Sequence, residues 1–174
     1  MAVLNRVGVM LRSLVGKISF FMKILLVSIF LSIAIGLPAF ASESDNETFA
    51  QEYFHAWVTS QSPDAEMSNI EAYLALLTED IGHQHLPYDS DDSRSANNKE
   101  NMREGMKFYL GAHTRFKADL ISVSAGHNVV VLKYSTESEG VRPQTGELIT
   151  QEYDTIEVLE LEDSRVSVIR KYSE

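Results

Sequence analysis

The 174-residue sequence contains no cysteine. Disulfides, thiolate nucleophiles, iron–sulfur clusters and cysteine-ligated zinc are therefore excluded, and the fold must be held together by its core. Proline is scarce, with four residues, and tryptophan occurs once, at Trp57. The sequence also lacks a glycine-rich phosphate loop, a serine nucleophile elbow and a heptad repeat, so it does not indicate a nucleotide site, a serine hydrolase or a coiled coil.

Residues 1–41 contain four basic residues and no acidic one. The apolar run at 24–37 is shorter than the roughly 20 residues of a membrane-spanning helix, and its length is typical of a secretory signal. Ala39 and Ala41 then provide the small residues that a signal peptidase reads. We expect residues 1–41 to be a cleavable signal peptide, with Met22 as an alternative start, and the protein to be exported to the periplasm or beyond. An uncleaved membrane anchor is the competing interpretation.

Residues 42–174 have few basic residues. Residues 1–41 account for four of the 15 basic residues and none of the 25 acidic ones, so the remainder has 11 basic and 25 acidic residues and a formal net charge of −14. Such a surface repels phosphate backbones and anionic lipid headgroups. We expect no nucleic-acid partner and no membrane partner after signal cleavage. The remaining length suffices for one hydrophobic core, which predicts a single domain at 42–174.

Helical periodicity marks three segments of this domain, and alternating or β-branched patterns mark five others. The predicted helices cover residues 44–61, 68–78 and 98–113, and the first two open with capping boxes. The predicted strands cover residues 81–86, 116–124, 129–136, 147–161 and 166–172. The polar segment 88–98 predicts a mobile loop. The order α-α-β-α-β-β-β-β indicates an α+β fold, in which N-terminal helices pack on a strongly curved antiparallel sheet that leaves an apolar pocket at its open end.

This order of elements resembles the nuclear transport factor 2-like (NTF2-like) superfamily, in its SnoaL-like and ketosteroid-isomerase-like branch. Three segments are similar: residues 51–53 with Trp57 in the first helix, residues 77–85 around the first strand, and residues 159–166 at the late hairpin. In the hairpin, leucines replace the family's aromatic residues and Ser164 replaces its glycine. The resemblance implies a cone-shaped α+β barrel with a conical pocket. It leaves the chemistry open, because the superfamily hosts isomerases, cyclases, hydrolases, binding proteins and interaction domains.

The resemblance also implies candidate catalytic residues. Ketosteroid-isomerase-like proteins use a carboxylate base at the end of the first strand, opposite an oxyanion site made of a tyrosine and a protonated acid. These positions fall on His85, Tyr53 and Glu157. A neutral imidazole can accept a proton near pH 7, since its ordinary pKa is about 6.5. Each residue has a structural alternative: His85 as a hydrogen-bonding group at a strand end, Tyr53 as a packing residue, and Glu157 as a solvated residue if the register is shifted by one.

Four further residues are candidates for the pocket wall: Trp57, His83, Tyr109 and Arg170. The alternative is core packing for the two aromatic residues and a surface charge for Arg170. His83 and His85 share one strand face, so a His-x-His metal pair is geometrically open, with Glu157 as a third ligand. Without further histidine or cysteine support, we predict no metal and no cofactor.

Three functions are compatible with these residues. The first is an enzyme that moves a proton on a small apolar substrate, which requires His85, Tyr53 and Glu157 to converge on one cavity. The second is a ligand-binding or carrier module that uses the same cavity without chemistry. The third is an interaction domain that forms a homodimer through the outer face of the sheet and has its cavity filled by large side chains.

Overall fold

A computed structural model of the chain describes residues 42–174. These residues form three helices: α1 (Glu43–Ser60), α2 (Met67–Ala75) and α3 (Asn98–Tyr109). They also form five strands: β1 (Leu77–Leu86), β2 (His113–Gly126), β3 (Val129–Val141), β4 (Leu148–Glu162) and β5 (Arg165–Ser173). The predicted order of elements and the α+β class are confirmed. The predicted signal peptide and the alternative start at Met22 lie outside the described residues. Within 42–174, no helix has the length and apolar character needed to cross a membrane.

The caps of the first two helices differ from those predicted. The side-chain oxygen of Ser42 accepts a hydrogen bond from the backbone N–H of Asp45 at 3.2 Å, and the Asp45 carboxylate accepts one from the Ser42 N–H at 3.0 Å. This capping box makes Ser42 the N-cap of α1, two residues before the predicted cap, Ser44. Similarly, α2 is capped at Glu66 and not at Ser68. The caps lie earlier than predicted because Asp45 and Asn69 make the hydrogen bonds that the sequence pattern assigns to a glutamate at this position.

The sheet has the strand order β1-β5-β4-β3-β2 and is open, with β1 and β2 at its edges. Strands β2 to β5 pair antiparallel as predicted, although β3 runs to Val141, beyond its predicted end at residue 136. β1 departs from the prediction, because it pairs in parallel with β5. The chain between β1 and β5 passes through α3 and the strands β2 to β4, and so long a connection permits parallel pairing. The sheet is therefore mixed.

The core lies between the helices and one face of this sheet. Successive strand residues point to opposite faces, so alternate residues of β3, β4 and β5 face the helices. The buried apolar residues from these strands and from α1 and α2 include Val130, Leu132, Leu159, Ile169, Ala50, Phe54, Ile70 and Leu74. Each fully buried aliphatic side chain of this kind contributes about 1.5–3 kcal/mol to folding. Helices thus cover part of one sheet face and leave the rest of that face to a cavity.

The outer face of the sheet carries exposed apolar side chains. Ile156 and Tyr172 are cross-strand neighbours there, and they are 46% and 42% exposed. The homodimer through this face, expected from the sequence, stays a prediction.

The connection between β1 and α3 was predicted as a mobile loop at 88–98, but it makes specific contacts with β1. The guanidinium of Arg94 lies 2.8 Å from the carboxylate of Asp80. Gly82 allows the loop to approach the strand, because a Cβ atom there would lie 2.2 Å from the backbone oxygen of Asp92. The loop is therefore packed against β1, the strand that carries His83 and His85.

Candidate functional site

Three charged or titratable side chains form a row across the sheet. His85 of β1 is the register partner of Lys171 of β5, and Lys171 is the partner of Glu157 of β4. Neighbouring strands lie about 4.8 Å apart, so this register brings an imidazole, an ammonium group and a carboxylate side by side. All three project from the sheet face that the helices partly cover.

Glu157 is completely buried, and each of its carboxylate oxygens accepts a hydrogen bond. One carboxylate oxygen accepts the hydroxyl of Tyr53 at 2.7 Å, and the other accepts the hydroxyl of Tyr134 at 2.6 Å. The Tyr73 hydroxyl lies 3.1 Å from that of Tyr53. Burial, and then the negative charge of Glu157, raise the pKa of all three tyrosines. The three tyrosines therefore remain protonated, and two of them, Tyr53 and Tyr134, donate to the carboxylate.

Lys171 lies between Glu157 and the solvent-accessible part of this sheet face. Its side chain is 9% exposed, and its Nζ atom lies 3.7 Å from Oε1 of Glu157. The same atom lies 4.4 Å from the ring centroid of Trp57, in a cation–π contact. The Lys171 charge is thus stabilised on two sides by groups of the fold.

A cavity of about 750 Å³ opens beside this row. Its size lies within the range of small-molecule pockets, about 300–1,000 Å³. Helix α3, the edge strand β1 and the β3–β4 hairpin contribute to its wall. Apolar and polar side chains both line it, including Trp57, Met102, Met106, His83, His85 and Lys171. The cavity therefore offers an apolar surface with a small polar cluster at one side.

The two cavity histidines are held in their neutral form. Burial, and then the neighbouring charge of Lys171, lower the pKa of His83 to about 4. The same two causes, in the same order, lower the pKa of His85. Near neutral pH, each imidazole therefore has one nitrogen that can accept a hydrogen bond or a proton.

The described side chains are not arranged as the ligands of a metal ion. Within residues 42–174, no group of three or more His, Asp or Glu side chains is placed to hold a metal ion. The rings of His83 and His85 are 6.4 Å apart, and Glu157, the suggested third ligand, is occupied by two tyrosines. The nearby ammonium of Lys171 also repels a cation.

Proteins of known structure share this architecture, although sequence comparison finds no relative. No family model and no curated protein sequence matches the chain. Among solved structures, an NTF2-like protein from Anabaena variabilis superposes with a TM-score of 0.58 and 17% identity, over 76% of this chain and 92% of that chain. The chain has the NTF2-like fold. A proposed SnoaL-like polyketide cyclase from Shewanella denitrificans has a TM-score of 0.57 at 11% identity, over 73% of this chain and 88% of that chain. An epoxide hydrolase of the LEH-like type from M. tuberculosis has a TM-score of 0.53 at 14% identity, over 74% and 85% of the two chains.

The NTF2-like fold places four of the seven predicted site residues in the cavity wall: His85, His83, Trp57 and Tyr109. Tyr53 and Glu157 are not among the lining residues. They lie behind the wall and are bonded to each other, with Tyr73 and Lys171 between them and the cavity. Of the three suggested catalytic residues, His85 alone faces the cavity, so the three do not converge on it.

Arg170, the remaining predicted residue, lies outside the cavity. Its guanidinium forms ion pairs with Asp92 at 2.7 Å and Glu160 at 2.6 Å. Arg170 and Lys171 are consecutive on β5 and must point to opposite faces, so only one of them can face the cavity. Lys171 was not among the predicted site residues, although its alternation with the apolar core residue Ile169 was a usable signal.

Proposed function

We propose that this NTF2-like domain binds a small, mostly apolar organic molecule in the cavity beside Lys171. The cavity itself carries the proposal: about 750 Å³ of space, an apolar wall and a few convergent polar groups. Small-molecule sites in proteins combine these properties. The solved structures of similar fold, which include a proposed polyketide cyclase and an epoxide hydrolase, support a role with small molecules.

Binding is better supported than catalysis by the three suggested residues. Tyr53 donates to Glu157, Glu157 also accepts from Tyr134, and neither Tyr53 nor Glu157 lines the cavity, so neither is placed to contact a ligand. The interaction-domain alternative has less support, since Trp57 and Met102 line an open space and do not fill it.

The proposal predicts that the domain binds 5-phenylpentan-2-one, a neutral apolar probe with one acceptor group. Trp57 is the only tryptophan and lies in the cavity wall, so its fluorescence should change on binding, in parallel with the heat measured by calorimetry. Replacing Gly105 by phenylalanine should abolish binding, because Gly105 lines the cavity and nothing lies within 4 Å of a Cβ atom added there. The change also favours α3, since glycine is a poor helix former.

Glu104→Phe is the matched control, because Glu104 is exposed on the same helix and does not line the cavity. It should bind the probe as the unmodified protein does. Absence of binding to the unmodified protein, in both fluorescence and calorimetry, for this ketone and for its amide and carboxylate analogues would overturn the proposed function. Equal binding by Gly105→Phe and the unmodified protein would show that the probe binds outside this cavity.

Proton transfer by His85 is a second candidate function. One observation favours it: the neutral imidazole lines the cavity next to Lys171, whose positive charge could stabilise an enolate oxygen. The same ketone probe tests it. In D2O, NMR should show α-deuteration by the unmodified protein and none by His85→Gln. Absence of exchange rejects this candidate and leaves the binding function intact.

We propose in addition that the protein is exported and that residues 1–41 are removed. The signal-like pattern of these residues supports this, as does the position of Ser42, which caps α1 directly after the predicted cleavage site. Expression of the full sequence in a bacterial host should yield a periplasmic or extracellular product whose intact mass corresponds to residues 42–174. A product of full-length mass that stays in the cell would contradict this.

A further inference from the structure

The charges in the cavity wall are opposite in sign to those of the domain as a whole. Residues 42–174 contain 11 basic and 25 acidic residues. Among the described residues that line the cavity, none is aspartate or glutamate, whereas Lys171 and Arg142 are both present. Arg142 lies in the β3–β4 turn and pairs with Glu147 at 3.2 Å. A cavity wall without carboxylates in so acidic a domain favours an anionic ligand over a cationic one.

Lys171 has hydrogen-bonding capacity to spare. Its Nζ atom lies 3.7 Å from Glu157, which is longer than a hydrogen bond, and both Glu157 oxygens already accept tyrosine hydroxyls. In the part of the chain that the structure describes, no atom accepts a hydrogen bond from this ammonium group. A lysine ammonium has three donors, so these are left for a molecule in the cavity.

The surroundings of Lys171 suit a monoanion with an apolar body. The charge of Glu157 partly offsets that of the ammonium group, so the site has less than one full positive charge to offer. A carboxylate matches this better than a phosphate dianion. Trp57, Met102 and Met106 line the same cavity and can contact an apolar body next to the charged group.

We infer that the cavity selects small apolar carboxylic acids, and that Lys171 binds their carboxylate. The inference rests on the proposed ligand-binding function and names the class of ligand. Lys171 is then the specificity-determining residue, while the apolar wall supplies affinity common to charged and neutral ligands.

The test compares 4-phenylbutanoate with 4-phenylbutanamide, which has nearly the same shape but no charge. Calorimetry, with Trp57 fluorescence as a second readout, measures both affinities. The unmodified protein should bind the carboxylate about 10- to 100-fold more tightly than the amide, as expected for a charge-assisted hydrogen bond in a buried site. This comparison requires no mutation, so it does not depend on a variant that folds poorly.

Variants then assign the preference to Lys171. Lys171→Met should bring the two affinities to near equality, and the double variant Lys171→Met/Glu157→Gln should do the same without leaving an unpaired buried carboxylate. Lys133→Met is the control, because Lys133 is exposed and its register partner Ile156 lies on the outer face of the sheet. It removes the same charge from the domain, and the preference for the carboxylate should persist.

The possible failures are distinguishable. If the amide and the ketone bind as tightly as the carboxylate, or if Lys171→Met and the double variant retain the preference, the inference is overturned and the proposed binding function stands. If the ketone, the amide and the carboxylate all fail to bind, the proposed function falls as well.

Discussion

Replacing Glu157 by alanine is expected to lower the free energy of unfolding by about 3–5 kcal/mol, the usual cost of removing one partner of a buried ion pair. The change leaves the Lys171 ammonium without its counter-charge. It also leaves the hydroxyls of Tyr53 and Tyr134 without their acceptor in a buried position. Urea denaturation, followed by the emission of Trp57, measures the effect.

Glu160→Ala is the matched control for this prediction. Glu160 lies on the same strand, and its ion pair with Arg170 is largely exposed, so its removal should cost no more than about 1 kcal/mol. A loss for Glu157→Ala as small as that of the control would show that the tyrosines and Lys171 find other partners. In that case, the buried carboxylate of Glu157 would not be needed to hold Lys171 and the two tyrosines in place.

The second large effect is expected on acidification. Between pH 7 and pH 5, the free energy of unfolding should fall by about 2 kcal/mol, since each unit of pKa difference corresponds to 1.36 kcal/mol. His83 has a pKa of about 4 in the folded protein, compared with about 6.5 in an unfolded chain. Below pH 6.5, the unfolded chain takes up a proton that the folded protein does not bind. This favours unfolding progressively until the folded pKa is reached, and His85 contributes in the same direction.

His83→Gln should remove most of this pH dependence, because glutamine does not titrate. His55→Gln, on the exposed surface of α1, should retain it. The measurement is a set of urea denaturation curves at pH 7, 6 and 5 for the three proteins. Parallel pH profiles for the unmodified protein and His83→Gln would contradict the prediction and mean that the His83 imidazole is accessible to water.

The sequence was most informative where one local rule decides the outcome. Apolar periodicity indicated the α1 face that buries Tyr53, and strand alternation indicated that Glu157 shares a face with Leu159. Both features depend on neighbouring residues alone. They sufficed to predict the order of elements and to select the NTF2-like fold.

The site was harder to predict, because it depends on pairing between distant strands. The parallel register of β1 with β5 decides that His85 lies next to Lys171, and nothing within either strand specifies that register. The choice between Arg170 and Lys171 depends on the same pairing. The tyrosines that donate to Glu157 come from α1 and β3, so the hydrogen bonding of both its oxygens is a property of the assembled core.

The reciprocal cap at the start of α1 has a consequence for the mature chain end. If processing occurs after Ala41, the Ser42 nitrogen becomes a free amino terminus with a positive charge, at the helix end where the dipole disfavours a cation. The Asp45 carboxylate already accepts a hydrogen bond from this nitrogen, and that contact would become an ion pair. The backbone N–H and the hydroxyl of Ser42 lower the pKa of Asp45, so the carboxylate stays ionised under mildly acidic conditions. The positive charge at the amino terminus of the processed protein would thus be neutralised by the carboxylate of Asp45, in the first turn of the same helix.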